Sequence, residues 1–162
     1  MPTATQNFEH LIKICKDAYE GYQTAKENVL KCEQKKDLKK RDKIVEIEEK
    51  LQLFADERRV MFAELNKVYQ HWQQKTIYAD TLIGALHRTW IEVQAFFNAP
   101  LSHTLEACIE GERLSLVEYQ KCLTLYREML PTEAVEILIK QSAQIENCLY
   151  LLSDLKKEVE QF

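Results

Sequence analysis

Glycine and proline are scarce in this chain, with three of each among 162 residues. So few chain breakers leave little room for the many turns of an all-β protein, and they favour long helices. Hydrophobic residues make up 46% of the sequence and charged residues 30%, which is the composition of a globular chain and not of a disordered one. The length suits one domain with a hydrophobic core. We therefore expect a single all-α domain over residues 1–162.

An excess of positive charge is also missing. The formal net charge is −4 and the isoelectric point is about 5.7, which argues against a nucleic-acid partner because nucleic-acid-binding surfaces are normally basic. No apolar run approaches the length of a membrane span, and the N-terminal residues lack the basic and apolar regions of a signal peptide. These features predict a cytoplasmic protein without a nucleic-acid or membrane partner.

The cysteines number five, which is odd, and no two have the CxxC spacing. Cys15, Cys108, Cys122 and Cys148 each lie within or beside an apolar helical stripe. This placement favours buried free thiols over a disulfide framework or a zinc site. Free thiols in turn indicate a reducing compartment.

Apolar residues recur at alternating steps of four and three along most of the chain, and this spacing predicts four long helices. The first runs over about residues 5–31 and the second over about 42–74. The third runs over about 102–128 with Ser102 as its N-cap, and Pro131 lies in the first turn of the fourth. Helices with stripes of this width pack as a four-helix bundle.

The connection between the second and third helices contains the stretch GALHRTW at 84–90, within a short helix that Asp80 caps. The connection is long enough for a crossover down the outside of the bundle, the route taken in ferritin-like folds. His87 and Trp90 have two interpretations, a site for an anion or a partner and a structural joint. We favour the joint, in which Trp90 packs this crossover helix onto the bundle and His87 satisfies a nearby polar group.

Four segments carry a resemblance to a known family. They are KDAYEGY at 16–22, GALHRTWIEVQ at 84–94, LEACIEGERLSLVEYQKCL at 105–123 and LP at 130–131. In this order they resemble a bacterial family of four-helix-bundle proteins, a domain of unknown function within the ferritin-like superfamily. The resemblance implies a ferritin-like bundle and implies no activity.

A ferritin-like di-iron centre would need a glutamate from two helices and Glu-x-x-His from the other two. Each long helix has one glutamate near its middle: Glu20, Glu57, Glu112 and Glu146. The positions three residues after Glu57 and Glu146 are Val60 and Leu149, which cannot ligate a metal. We therefore expect no cofactor, and iron or manganese at a degenerate all-carboxylate site is the alternative.

Two charged residues, Arg58 and Glu112, occupy apolar seam positions on the second and third helices. A charge buried alone is very costly, so each needs a partner, and the economical prediction is that they pair with each other. Ser115, Ser142 and Cys15 would complete a polar layer around them. Such a layer is more typical of structural specificity than of catalysis.

No nucleophile–base pair, glycine-rich phosphate loop or cysteine–histidine cluster is visible in the sequence. The leading hypothesis is a non-enzymatic helical-bundle protein, either stress-related, as the ferritin-like class suggests, or an interaction module. Its partner would be another protein or, in a homo-oligomer, another copy of itself. The alternative is a ferritin-like metal-binding protein or di-metal carboxylate oxidoreductase.

Overall fold

The computed structural model describes residues 1–31, 38–77 and 100–161, and within them the chain is almost entirely helical, with no β-strand. Four long helices are present: α1 (Ala4–Leu30), α2 (Leu38–Gln73), α3 (Leu101–Tyr126) and α4 (Thr132–Glu160). A 3₁₀ turn at Arg127–Met129 links the last two. The prediction of an all-α four-helix bundle is confirmed.

The helix starts show how local sequence sets the boundaries. Thr3 caps α1 through a capping box, in which the Thr3 hydroxyl accepts from the backbone N–H of Gln6 and the Gln6 side chain accepts from the backbone N–H of Thr3. This reciprocal pair satisfies two backbone donors that the first turn leaves without partners.

Prolines begin α3 and α4, and two predictions about these starts are wrong. The N-cap of α3 is Pro100 and not Ser102, which lies inside the first turn. The Pro100 carbonyl accepts from the N–H groups of His103 and Thr104, so the helix starts directly after the proline. Pro131 likewise is the N-cap of α4 and is not in its first turn. The proline ring holds φ near −65° while its carbonyl remains free to accept the first helical bond.

The bounds of α2 and α3 also differ from the prediction. Helix α2 begins at Leu38, four residues before the predicted start at 42. Residues 38–41 include two lysines and an arginine, which are good helix formers, so the helix contains them. Helix α3 ends at Tyr126 and tightens into the 3₁₀ turn, an arrangement that is frequent at helix C-termini.

Two antiparallel hairpins build the bundle. In the first, Phe8 of α1 stacks on Tyr69 of α2 while Tyr22 packs on Phe54, so α1 and α2 run in opposite directions. In the second, Glu106 of α3 pairs with Lys156 of α4. The short connection between α3 and α4 leads to the same antiparallel arrangement.

The hairpins pack with α1 against α3 and α2 against α4. At the first interface the Tyr126 hydroxyl donates to the Pro2 carbonyl, and at the second Lys140 pairs with Glu64. Helices α2 and α3 are therefore parallel and diagonal, and the end of α2 and the start of α3 lie at opposite ends of the bundle. The predicted crossover helix, with His87 and Trp90, lies outside the described residues.

The predicted seams form the core, and α1 is buried more widely than predicted. Besides the predicted stripe, which includes Phe8, Ile12, Cys15 and Tyr22, it buries a second heptad seam of Leu11, Ile14, Ala18, Gly21 and Ala25. The two seams pack against the two neighbouring helices, α2 and α3, and the remaining face of α1, with Glu20 and Glu27, is at the surface. In the described part of the chain, no helix combines the length and apolar character that crossing a membrane requires.

Candidate functional site

The centre of the bundle holds an ion pair between diagonal helices. Arg58 of α2 donates from Nε to Oε1 of Glu112 at 2.9 Å and from Nη2 to Oε2 at 2.6 Å. Arg58 is 1% exposed and Glu112 is fully buried. Two parallel bonds between a guanidinium and a carboxylate make a bidentate pair, the strongest geometry available to these groups. The structure thus brings together the two charged residues that occupy seam positions.

The heptad positions of the two residues explain why both point inward. Arg58 lies between the buried seam residues Phe54 and Met61, and Glu112 between Cys108 and Ser115. Burial alone would lower the pKa of Arg58, but the carboxylate of Glu112 beside it holds that pKa well above its usual range. The guanidinium therefore stays charged, and its charge balances that of Glu112 where water does not reach.

A phenol and a thiol extend the pair to the other two helices. The Tyr22 hydroxyl of α1 donates to Glu112 Oε1 at 2.8 Å, and the Tyr22 oxygen lies 3.2 Å from Cys148 Sγ of α4. Because the single phenolic hydrogen is directed at the carboxylate, the thiol of Cys148 is the donor to the Tyr22 oxygen. Side chains from all four helices therefore meet at one level of the bundle.

A second buried chain of hydrogen bonds lies beside the first. The Tyr119 hydroxyl of α3 donates to Gln141 Oε1 of α4 at 2.6 Å, and Gln141 Nε2 donates to the Met61 carbonyl of α2 at 3.2 Å. Cys15 Sγ of α1 lies 3.1 Å from the Tyr119 oxygen. Because the phenolic hydrogen of Tyr119 is directed at Gln141, the Cys15 thiol is the donor in this contact. This chain also joins all four helices.

Burial keeps the thiols and phenols of both chains protonated. It raises the pKa of Cys15 to about 12, and it raises those of Cys148 and Tyr22 well above their usual ranges. The thiolate is the nucleophilic and metal-ligating form of cysteine. At neutral pH these groups therefore act as hydrogen-bond donors, as their positions in the two chains require. All four cysteines within the described ranges are free and buried.

The remaining members of the predicted polar layer have different surroundings. The Ser115 hydroxyl donates to the Gly111 carbonyl in the preceding turn of α3, at 2.9 Å. Ser142 Oγ is buried and has no hydrogen-bond partner among the residues that the structure describes. Of the three residues proposed around the pair, Cys15 bonds to another helix, and its partner there is Tyr119 and not Arg58 or Glu112.

The four mid-helix glutamates occupy unequal environments. Glu112 is buried, Glu57 is half-buried, and Glu20 and Glu146 are exposed. Burial raises the pKa of Glu57, the nearby guanidinium of Arg58 opposes that shift, and Glu112 adds to it. Among the described residues, no group of three or more histidine, cysteine, aspartate or glutamate side chains is arranged to hold a metal ion.

Sequence reasoning missed four residues of the central network. The heptad spacing places Tyr22 and Tyr119 in apolar seams and predicts Cys148 as a free thiol of the core, and it gives no signal for Gln141. The signal was present for the tyrosines, because a buried phenol usually finds a hydrogen-bond partner. Two seam tyrosines beside a seam charge therefore indicate a polar layer.

Residues 3–125 match a family model described as "Domain of unknown function (DUF2383)". The matched segment contains α1, α2 and all of α3 except its last residue, and it includes Arg58, Glu112, Tyr22 and Tyr119. No curated protein and no solved structure matches the chain.

Proposed function

We propose, from the premise that this chain belongs to the DUF2383 family of domains of unknown function, that it is a non-enzymatic protein-interaction module. The proposal has two parts. The bundle centre is a structural element without catalytic chemistry, and the outer helix faces make the contacts through which the protein acts.

The bidentate Arg58–Glu112 pair carries the first part. In a di-metal carboxylate bundle, metal cations balance the charge of the inward-facing glutamates. Here the guanidinium occupies that role, because both Glu112 oxygens accept from Arg58. The neighbouring thiol of Cys148 and phenol of Tyr22 are held in their protonated forms by burial, which raises both pKa values. The charged and polar groups at the centre are thus hydrogen-bonded to one another.

Exposed apolar side chains on α2 support the second part. Leu53 is 64% exposed and Val60 is 54% exposed, and seven residues separate them, so they lie two turns apart on one outer stripe. Large apolar residues repeated on one exposed stripe are typical of a surface that another helix covers. The partner is a second copy of the chain or another protein.

We assign the bundle to the ferritin-like class, and the directions of the helices support this. Two antiparallel hairpins with parallel diagonal helices require one long crossover connection, as ferritin-like bundles have. The free buried cysteines support a reducing compartment, and we place the protein in the bacterial cytoplasm. A role in stress responses rests on the ferritin-like class alone.

A metal-dependent function is the second candidate, and Glu57 is the observation that favours it. This half-buried carboxyl lies close enough to Glu112 for the two to influence each other, since Glu112 contributes to raising its pKa. Carboxylate oxygens are suitable ligands for iron or manganese, and two neighbouring carboxyls could bind the same ion. In this reading Glu57 and Glu112 would be ligands of a degenerate centre.

Metal loading separates the two candidates. Purified protein is incubated with Fe²⁺ or Mn²⁺, desalted, and analysed for metal per chain by mass spectrometry. We expect no stoichiometric metal. Two tightly bound ions per chain would refute the non-enzymatic proposal, and their loss in a Glu57→Gln variant, with Glu20→Gln as the exposed control, would identify the centre.

The interaction role is tested by the mass of the protein in solution and by its partners. We expect self-association or the capture of a specific partner, and Leu53→Lys with Val60→Lys should weaken it at least about tenfold, as loss of an interface anchor does. Arg59→Glu, an exposed change on the same helix, is the matched control. A monomer whose partner binding is unaffected by the two lysines would contradict this role.

A further inference from the structure

The Arg58–Glu112 pair has a position that stability alone does not explain. The two residues belong to the diagonal helices α2 and α3, and Arg58 is among the largest fully buried side chains of the described core. Replacing a buried ion pair by apolar residues is often neutral or stabilising. A core held together only for stability would therefore do as well with leucine and methionine at these positions.

Along α2 the seam on either side of Arg58 is uniformly apolar. Helix α2 presents Ile47, Leu51, Phe54, Met61, Leu65 and Val68 at heptad spacing, all of them buried. A slide of one hairpin along the other by seven residues, about 10.5 Å at 1.5 Å per residue, would again bring apolar residues against apolar residues. Packing alone therefore discriminates weakly between the two registers.

Arg58 and Glu112 distinguish these registers. In the observed bundle the guanidinium and both carboxylate oxygens are bonded to each other, and Tyr22 of α1 joins them at the same level. After a slide of one heptad, Glu112 would face Leu51 or Leu65, and Arg58 would face Leu105 or Tyr119, so neither charge would keep its counter-charge. An unpaired buried charge is far more costly than any gain from the shifted packing.

We infer that the Arg58–Glu112 pair is a register key, which selects one alignment of the α1–α2 hairpin on the α3–α4 hairpin against alignments shifted by a heptad. The two residues act through packing and position the helices, and they have no part in chemistry. The inference is independent of the proposed interaction role, because it concerns the folded state of a single chain.

Disulfide trapping between the hairpins tests this inference. Glu64 and Lys140 form an ion pair between α2 and α4 at 2.7 Å, so these positions lie at one level of the bundle in the observed register and are chosen for the first cysteine pair. Because the helices are antiparallel, Glu64→Cys combined with Glu133→Cys or Asn147→Cys reports a shift of seven residues in either direction. Positions 133 and 147 are exposed, so the cysteines there perturb the core little.

Each cysteine pair is placed in the parent chain, in an Arg58→Met/Glu112→Leu variant and in a Leu51→Met control, which changes the same seam without touching the pair. The chains are oxidised under mild conditions, and intramolecular disulfides are mapped by peptide mass spectrometry. In the parent and the control, we expect the 64–140 disulfide to exceed either shifted disulfide at least tenfold. In the apolar variant, we expect a shifted disulfide to form at a rate comparable to the 64–140 disulfide.

Two results would overturn the inference. One is an apolar variant that folds and traps the 64–140 disulfide with the same preference as the parent, because the remaining contacts between the hairpins, among them the Cys15–Tyr119 and Gln141–Met61 hydrogen bonds, would then set the register without the pair. The other is an apolar variant that no longer folds, because the pair would then be required for stability. If two registers interconvert in the apolar variant, its amide NMR resonances should be broadened, whereas those of the Leu51→Met control should be sharp. This result would support the register key.

Discussion

Breaking the Arg58–Glu112 pair from one side should destabilise the protein severely. In Arg58→Met, the carboxylate of Glu112 loses the donors at 2.9 Å and 2.6 Å and keeps the Tyr22 hydroxyl at 2.8 Å. In Glu112→Leu, the guanidinium remains buried without a counter-charge. Removing one partner of a buried pair costs about 3–5 kcal/mol, so independent effects would total about 6–10 kcal/mol in the double variant.

The double variant Arg58→Met/Glu112→Leu should instead be far more stable than that sum. Both desolvated charges are gone, and replacing a buried pair by apolar residues is often neutral or stabilising by about 1–4 kcal/mol. The double-mutant cycle should therefore give a coupling free energy of at least about 3 kcal/mol. The Tyr22 hydroxyl loses its carboxylate acceptor in this variant, which limits the recovery because a buried polar group without a partner is costly.

Urea unfolding followed by circular dichroism measures the free energy of unfolding of all four proteins in the cycle: the parent, the two single variants and the double variant. With a slope of about 1–3 kcal/mol per molar urea, each single variant should unfold at least about 1 M earlier than the parent. The double variant should have a higher midpoint than either single variant. If the single effects add in the double variant, the energetic interpretation of the ion pair is wrong, whatever its geometry.

Four further outcomes follow from the same structure. Tyr22→Phe removes a buried donor to a carboxylate and should lower the free energy of unfolding by about 1.5–3 kcal/mol, measured by urea unfolding. The pKa of Cys15 is about 12 in the folded protein against an ordinary value of 9.0, so the unfolded chain loses its proton first. Stability should fall as pH rises from about 9 to about 12, with a smaller slope in Cys15→Ala. Cys148 should resist a thiol-labelling disulfide reagent at neutral pH until the protein is unfolded. Trp90→Ala should cost about 3–5 kcal/mol if Trp90 packs as predicted, and a Trp90 whose fluorescence is readily quenched from solvent would contradict that packing.

The four long helices could be predicted from the chain, because a heptad of apolar residues is a local property. Each of the seam residues Ile47, Leu51, Leu105 and Leu138 is buried. Helix ends were less predictable where two local signals compete. At α3, Ser102 is the better capping residue by side chain, but the preceding Pro100 starts the helix.

Only part of the site was predicted from the sequence, and the criterion was charge. A charge at a seam position must be compensated, and this identified Arg58 and Glu112 as partners although 54 residues separate them. The same reasoning did not find Gln141 or Cys148, because a glutamine or a cysteine carries no net charge that requires compensation. Their partners became visible only when the helices were placed side by side.

Periodicity in the sequence determined which face of each helix is buried, and it therefore determined the fold class and most of the core. It could not determine which helix covers that face, because apolar side chains attract one another without direction. Only the tertiary structure decided that α1 packs against α3 and that α1 is buried along a second seam through Ala18 and Gly21. It also decided the meeting of Arg58, Glu112, Tyr22 and Cys148 at one level, since hydrogen bonds form only between atoms that the helix directions and register bring within about 3 Å.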